Sequence, residues 1–206
     1  MTGETSRRHI LRQLAVGAAF CPICVSLLAG ESANADSSNV HWSYEGTDGP
    51  EHWGELSSDF KACELGVEQA PINLQSAVRA QLGAVTSSFE KMPLTIVNNG
   101  YTIQINCPAG SKTRIDGEDF ALIQFHFHHP SEHLLSDRRF ELELHFVHKS
   151  AAGQLAVLGV FIKKGQENAG LQPIWAAMPA QKGPEQTSET VIAPANLLPA
   201  HRGFFR

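Results

Sequence analysis

The sequence predicts a mainly β protein, a single domain built on a central, mostly antiparallel sheet with a few short helices. Two observations carry most of that. Phe120 to His128 and Phe140 to His148 alternate with period two and are rich in aromatic and β-branched residues, the pattern of half-buried strands. Leu94 to Ile105 also alternates and is interrupted by Asn98-Asn99-Gly100, a turn-forming triplet that predicts two strand segments. A third observation is how little helical period there is. Only 166–178 shows it, with Leu171, Ile174, Trp175 and Met178 on one face and Pro179 as a stop.

The remaining elements follow in order. Val40 to Leu65 is rich in Gly, Trp, His and Pro and predicts an irregular segment with short turns. Leu155 to Lys163 is a continuous apolar run with Val and Ile, which predicts a buried strand. Strands joined by non-helical connections pair most economically as antiparallel neighbours.

Bulk properties set the class. At 206 residues the chain has room for one domain with a substantial core, and 42% hydrophobic with 18% charged residues is ordinary for a soluble globular protein. A net charge of −5 argues against a nucleic-acid partner, which would require a basic face against phosphates.

The first 35 residues read as an export signal. Ser6-Arg7-Arg8-His9-Ile10-Leu11-Arg12 precedes an apolar run from Leu14 to Ala29, and Ala33-Asn34-Ala35 supplies an A-x-A cleavage site. The paired arginines resemble the twin-arginine signal, with Ile10 at its usual aromatic position. The expectation is a periplasmic or secreted protein with a functional domain over 36–206. The apolar run is short for a membrane span, which takes about 20 residues, so no stable anchor is expected. Cys21 and Cys24 are small residues inside that run. Cys63 and Cys107 remain in the mature chain, where an oxidising compartment permits a bridge.

His126-Phe127-His128 is an H-x-H on a strand, so both imidazoles share a face while Phe125 and Phe127 take the other. His145 lies on the next strand. If the two strands pair antiparallel, three imidazoles converge and leave a fourth tetrahedral position for solvent, as catalytic zinc sites do. Gln124 shares parity with His126 and Glu143 with His145. Ligating histidines usually donate their second ring nitrogen to such a group, which fixes the tautomer. His129, His133 and His148 have the wrong parity or lie off the strands and are not expected to be ligands.

The stretch from His41 to Arg206 resembles the alpha carbonic anhydrases. The resemblance rests on Trp42-Ser43-Tyr44-Glu45-Gly46, Gly49-Pro50-Glu51-His52-Trp53-Gly54, Gln69-Ala70-Pro71-Ile72-Asn73-Leu74 and Asn98-Asn99-Gly100. It continues through Gln124 to His128, Ser131-Glu132-His133, Glu143 to His148 and Leu155-Ala156-Val157-Leu158-Gly159. The resemblance implies a large, twisted, mostly antiparallel sheet with zinc at the floor of a cleft. It implies reversible hydration of carbon dioxide to bicarbonate and a proton by zinc-bound hydroxide, a small-molecule reaction. His126, His128 and His145 match the ligands, and Val147 and Val157 match the apolar wall of the substrate pocket. Glu132 matches a carboxylate that orients a threonine hydroxyl. Tyr44, Asn99 and Gln104 match polar groups lining the proton-carrying water network.

Departures from the pattern shape the expected activity. Tyr101 stands where the most active members carry a proton-shuttling histidine, and a tyrosine, with an ordinary pKa near 10, relays protons poorly at neutral pH. His41 is the remaining shuttle candidate. Ala70 replaces a usual serine. The sequence stops at Gly203-Phe204-Phe205-Arg206, where the family continues into a strand and a Ser-Leu-Thr-Thr-Pro-Pro loop that holds the threonine partner of Glu132. The expectation is therefore a chain truncated at its C-terminus that binds zinc, with impaired hydration. The alternative is a non-catalytic zinc-binding protein on the same fold. A cupin-like H-x-H-x₃-E reading is opposed by Pro130, which interrupts the strand before Glu132.

Overall fold

The computed structural model describes residues 40–205, apart from 45, 68, 201 and 202. The predicted export signal over 1–35 lies outside the described residues. The described chain falls into two compact units that divide between Ile72 and Asn73.

The first unit is the turn-rich segment that its composition predicts. Its described residues hold two short helices, α1 (Trp53–Leu56) and α2 (Lys61–Leu65), with single turns of 3-10 helix at Gly46–Asp48 and Ser58–Phe60. Trp42 and Trp53 are buried and meet edge to face at 5.6 Å. The Trp53 indole N–H donates to the carbonyls of Ser43 and Asp48 at 2.9 and 3.1 Å, so the buried ring keeps its polar end satisfied.

The second unit is the sheet. Its strands are β1 (Asn73–Leu74), β2 (Val85–Ser88), β3 (Met92–Asn98), β4 (Ile103–Asn106), β5 (Lys112–Ile115), β6 (Glu118–His128), β7 (Leu134–Leu135), β8 (Leu142–Ser150), β9 (Leu155–Ile162) and β10 (Gln186–Ile192). Eight of them form one sheet in the order β10-β3-β4-β6-β5-β2, with β8 and then β9 on the other side of β6. Every ladder in it is antiparallel, and β1 and β7 form a separate parallel pair. β6 is the axis. At 11 residues it pairs β5 with its first half, β4 with its second half, and β8 along its other edge.

The β3–β4 turn is the Asn-Asn-Gly triplet. Gly100 sits at φ +94°, a conformation that side-chain-bearing residues rarely adopt. Asn98 Oδ1 accepts from the Gly100 N–H, and Asn99 Oδ1 from the N–H groups of Tyr101 and Thr102.

One face of the sheet carries the core. Phe125, Phe127, Leu144 and Phe146 pack there with Leu94, Ile96, Ile105, and with Leu171 and Ile174 from around α3 (Gln172–Ala177). A bulge on β6 decides which residues join them. Leu122 pairs with His148 but Gln124 pairs with Val147, so Ile123 is an extra residue. Strict alternation would put Leu122 on the same side as Gln124 and His126. The bulge turns it over, and Leu122 is buried in the core cluster beside Phe125.

Two sequence expectations need correction. The helix expected over 166–178 is only Gln172–Ala177. Gly170 interrupts the helical run, the Asn168 side chain accepts from the Gly170 N–H in a local turn, and Pro173 can start a helix but cannot sit inside one. The strand expected to be buried, β9, lies outermost among the described strands, with Val157 43% exposed. An unbroken apolar run signals a strand without saying on which side its neighbours lie. No helix among the described residues is long and apolar enough to cross a membrane.

Candidate metal centre

The face opposite the core is organised in rows across the strands. Antiparallel pairing sets Gln104 opposite His126, His126 opposite His145, and His145 opposite Gly159. The next row runs Asn106, Gln124, Val147, Val157, and the row on the other side runs His128, Glu143, Phe161. Side chains directly opposite one another share a face. The period-two spacing of H-x-H and the β6–β8 register together therefore put three imidazoles side by side.

The ring centroids of His126 and His128 are 4.8 Å apart, those of His126 and His145 5.4 Å, and those of His128 and His145 4.5 Å. A ligand nitrogen from each lies within 4.8 Å of the others, and all three residues are buried. Gln124 Oε1 lies 2.9 Å from His126 Nδ1. A carbonyl oxygen only accepts, so that contact places the proton on Nδ1 and leaves a lone pair on Nε2. His126 Nε2 is fully buried and has no hydrogen-bond partner. Such an orphan costs about 1–3 kcal/mol unless something electrophilic meets it.

The electrostatics favour neutral, ligand-ready rings at His126 and His128. Burial, then the neighbouring rings of His128 and His145, holds the His126 pKa well below the usual imidazole value. Burial and His145 bring His128 down to about 3. Glu143, only 2% exposed, lies 3.0 Å from His145 Nε2, which leaves Nδ1 as that ring's remaining ligand atom. Burial alone would raise the Glu143 carboxyl. Contacts with His133 and His145 overcome it and carry the carboxyl well below the usual range.

His133, not expected as a ligand, belongs to this layer. Its backbone N–H donates to Glu143 Oε2 at 2.9 Å and its Nδ1 lies 2.8 Å from Oε1. Burial opposes a charge on His133, but the Glu143 carboxylate prevails and raises its pKa. The alternation that located the three histidines carries no signal for His133, because it comes from the loop after Pro130. Thr102 is a second such residue. Its hydroxyl donates to the Phe127 carbonyl at 2.5 Å and accepts from the Phe127 N–H at 3.2 Å, gripping the backbone between His126 and His128.

The other sequence candidates are dispersed. Val147 and Val157 are paired on the metal face, Val147 buried and Val157 exposed. Gln104 is buried, with its amide donating to Asn106 Oδ1 at 2.5 Å and its Oε1 without a partner. The Glu132 carboxylate lies 3.4 Å from His128 Nδ1 and 3.7 Å from His145 Nδ1, so it stands against the ligand rings themselves. Asn99 uses its side-chain oxygen within the β3–β4 turn, and Tyr101 on the same turn is half exposed. Tyr44 lies in the first unit, edge-on to Trp42 and Trp53. His148 is buried on the core face, 2.9 Å from the Thr113 hydroxyl and stacked on Phe89. Cys63 and Cys107 are free thiols.

Three buried imidazoles, among them His126 with a bare lone pair, backed by an amide and a carboxylate, are a donor set suited to a borderline divalent cation such as zinc. Comparison with known proteins points the same way. The family model for eukaryotic-type carbonic anhydrase matches residues 48–206. A carbonic anhydrase of Pectobacterium atrosepticum is 42% identical over 184 residues, covering 89% of this chain and 75% of its own. One from Nostoc sp. is 37% identical over 211 aligned positions, covering 100% of this chain and 78% of the relative. The alpha-carbonic anhydrase of Thermovibrio ammonificans, solved with the inhibitor sulfanilamide, superposes with a TM-score of 0.76 at 41% identity, covering 80% of this chain and 74% of that one. This chain therefore belongs to the eukaryotic-type, or alpha, carbonic anhydrase family.

Proposed function

We propose that this protein binds one zinc ion through His126, His128 and His145 and uses it for the reversible hydration of carbon dioxide to bicarbonate and a proton. The observation that carries the reading is the convergence of three buried imidazoles with His126 Nε2 left bare.

Zinc bound by three histidines, as in carbonic anhydrases generally, lowers the pKa of water to about 7 and so supplies an oxygen nucleophile at neutral pH. The chain's own groups do the rest. Gln124 holds the His126 tautomer with its lone pair free, and Glu143 fixes the His145 ring. Val147 and Val157, one row from His126 and His145, offer apolar surface to a neutral substrate. Glu132, against the His128 and His145 rings, is positioned to accept a hydrogen bond at the reacting centre. Gln104 lies in the row of His126 and places a buried amide beside it. Tyr44, Asn99 and Gln104 are assigned by resemblance to the water network that carries the proton out, and Tyr101 stands at the position of the family's shuttle histidine. The N-terminal pattern supports export to the periplasm or beyond.

Metal analysis of the purified protein with stopped-flow carbon dioxide hydration tests this. The expected result is one zinc per chain and sulfonamide-sensitive turnover above that of His126→Ala. Bound zinc with sulfonamide binding but no turnover would leave a zinc-binding protein that is not an enzyme. Absence of zinc at neutral pH would overturn the reading entirely.

A further inference from the structure

His145 has a carboxylate directly against its ring, that of Glu143, whereas His126 has the neutral amide of Gln124. An amide can turn over and present its NH2 in place of its oxygen, so something must hold it. The polar side chains around Gln124 form a block of four on the metal face. Gln104 lies opposite His126, and Asn106 lies opposite Gln124. Within β6, His126 Nδ1 donates to Gln124 Oε1 at 2.9 Å, and within β4, Gln104 Nε2 donates to Asn106 Oδ1 at 2.5 Å. Asn106 Nδ2 donates in turn to the carboxylate of Glu185. Glu185 directly precedes β10. That ladder begins with Gln186 opposite Ile96, so Glu185 arrives beside Val97, the β3 partner of Gln104.

The carboxylate fixes the direction of these bonds, because it only accepts. Asn106 must give it the NH2 and keep its own oxygen for Gln104. Gln104 must give its NH2 to Asn106, and its Oε1 is left over as an acceptor. That atom is buried and has no partner, on a residue only 5% exposed. Gln124 is the complement. Its Nε2 is a buried donor without a partner, on a residue 2% exposed. The two glutamines stand at diagonal positions of adjacent strands, within reach of long side chains. One water between them would meet both needs, since buried waters sit where otherwise unsatisfied polar atoms converge.

We propose that Glu185 is a positioning residue for His126, acting through Asn106, Gln104, one bound water and Gln124. The water accepts from Gln124 Nε2 and donates to Gln104 Oε1. Every donor then points the same way, from His126 Nδ1–H outward to the carboxylate, and hydrogen bonds aligned in this manner reinforce one another. Glu185 is exposed, so solvent and salt screen its field at the ligand rings. What it transmits is the direction of the bonds. Without it both amides are free to reverse. A reversed Gln124 sets an N–H against His126 Nδ1 and drives the imidazole proton to Nε2, the atom that a metal needs bare.

The test compares Glu185→Ala with Glu185→Gln in the full chain. Both remove the same charge and change the long-range field alike, but only Gln keeps an acceptor for Asn106. NMR of the metal-free protein follows the side-chain NH2 groups of Gln104 and Gln124 and the ring nitrogens of His126. Glu185→Ala is expected to shift all three and to raise the share of His126 protonated on Nε2. Zinc affinity should fall roughly threefold, less than the 10–100-fold usual for a group bonded directly to a ligand. Glu185→Gln should restore the wild-type spectrum and affinity. Adding Asn106→Asp to the Ala variant moves a carboxylate one step inward and should restore the His126 tautomer as well. Gln104, Gln124 and His126 signals that Glu185→Ala leaves unmoved overturn the proposal. So does a Gln variant that behaves like the Ala variant, since charge alone would then explain both. The consequence for affinity rests on the zinc reading, whereas the metal-free spectra do not, so a wild type that binds no zinc defeats that reading while the spectra still decide the role of Glu185.

Discussion

His126 and His145 face each other directly across the β6–β8 ladder, with their ring centroids 5.4 Å apart. His148, three residues further along β8, is equally buried but points to the core, opposite Leu122. Position in the ladder thus separates a proposed ligand from a packing residue of the same type. His126→Ala is expected to abolish stoichiometric zinc binding, because two imidazoles cannot hold the ion against competing water. His148→Gln should keep one zinc per chain. Metal analysis after dialysis distinguishes them, and equal loss in both would count against the ladder argument.

Glu143 stands between His133 and His145. Replacing it with Gln keeps the shape and removes the charge. Zinc affinity is expected to fall about 10–100-fold, the usual cost of losing a carboxylate behind a ligating histidine. The raised pKa of His133 should fall as well, since burial alone lowers it and the carboxylate supplied the opposing pull. Competition with a chromophoric chelator reads the first effect, and NMR titration of His133 reads the second.

Gly159 continues the His126–His145 row onto β9, and a Cβ there would stand 2.8 Å from Glu143 Oε1. Ala in a strand ordinarily stabilises by about 0.5–1 kcal/mol relative to Gly. Gly159→Ala is expected instead to displace the Glu143 carboxylate and weaken zinc binding, with little change in the metal-free melting temperature. Unchanged zinc affinity would mean that the carboxylate moves aside at no cost to His145.

Burial holds the His148 pKa at about 4, against 6.5 for an exposed imidazole. Between those values the unfolded chain binds a proton that the folded chain refuses. The contribution of His148 to stability is therefore complete above about pH 6.5 and declines as the pH falls towards 4. At about 1.4 kcal/mol per unit the loss is on the order of 3 kcal/mol. Metal-free wild type and His148→Gln, compared by denaturation between pH 7 and 4, should differ in slope, with the variant losing less on acidification.

Thr102 holds the Phe127 backbone from both sides. Thr102→Val keeps the volume and leaves a buried carbonyl and N–H without that partner, at a cost of about 1–3 kcal/mol. Because Phe127 lies between two proposed ligands, zinc affinity should fall along with stability. A variant that melts lower but binds zinc as tightly would confine Thr102 to a structural role.

Much of this was legible along the chain. Period two made His126 and His128 neighbours and kept Gln124 with them. The same parity joined Glu143 to His145, and Asn98-Asn99-Gly100 marked the β3–β4 hairpin. These are local properties of an extended backbone, and they hold wherever the strand happens to lie. Non-local pairing decided the rest. The extra residue at Ile123 sends Leu122 to the core and only then presents Gln124 to the metal face. The loop after Pro130 returns Glu132 and His133 to the ligand rings, which no periodicity encodes. β9 reads as a buried strand from its composition, yet in the order of the described strands it lies outermost. Alternation along one strand is chemistry that a sequence carries by itself, whereas register, bulge and edge are relations between strands, and they come into being only when the chain folds.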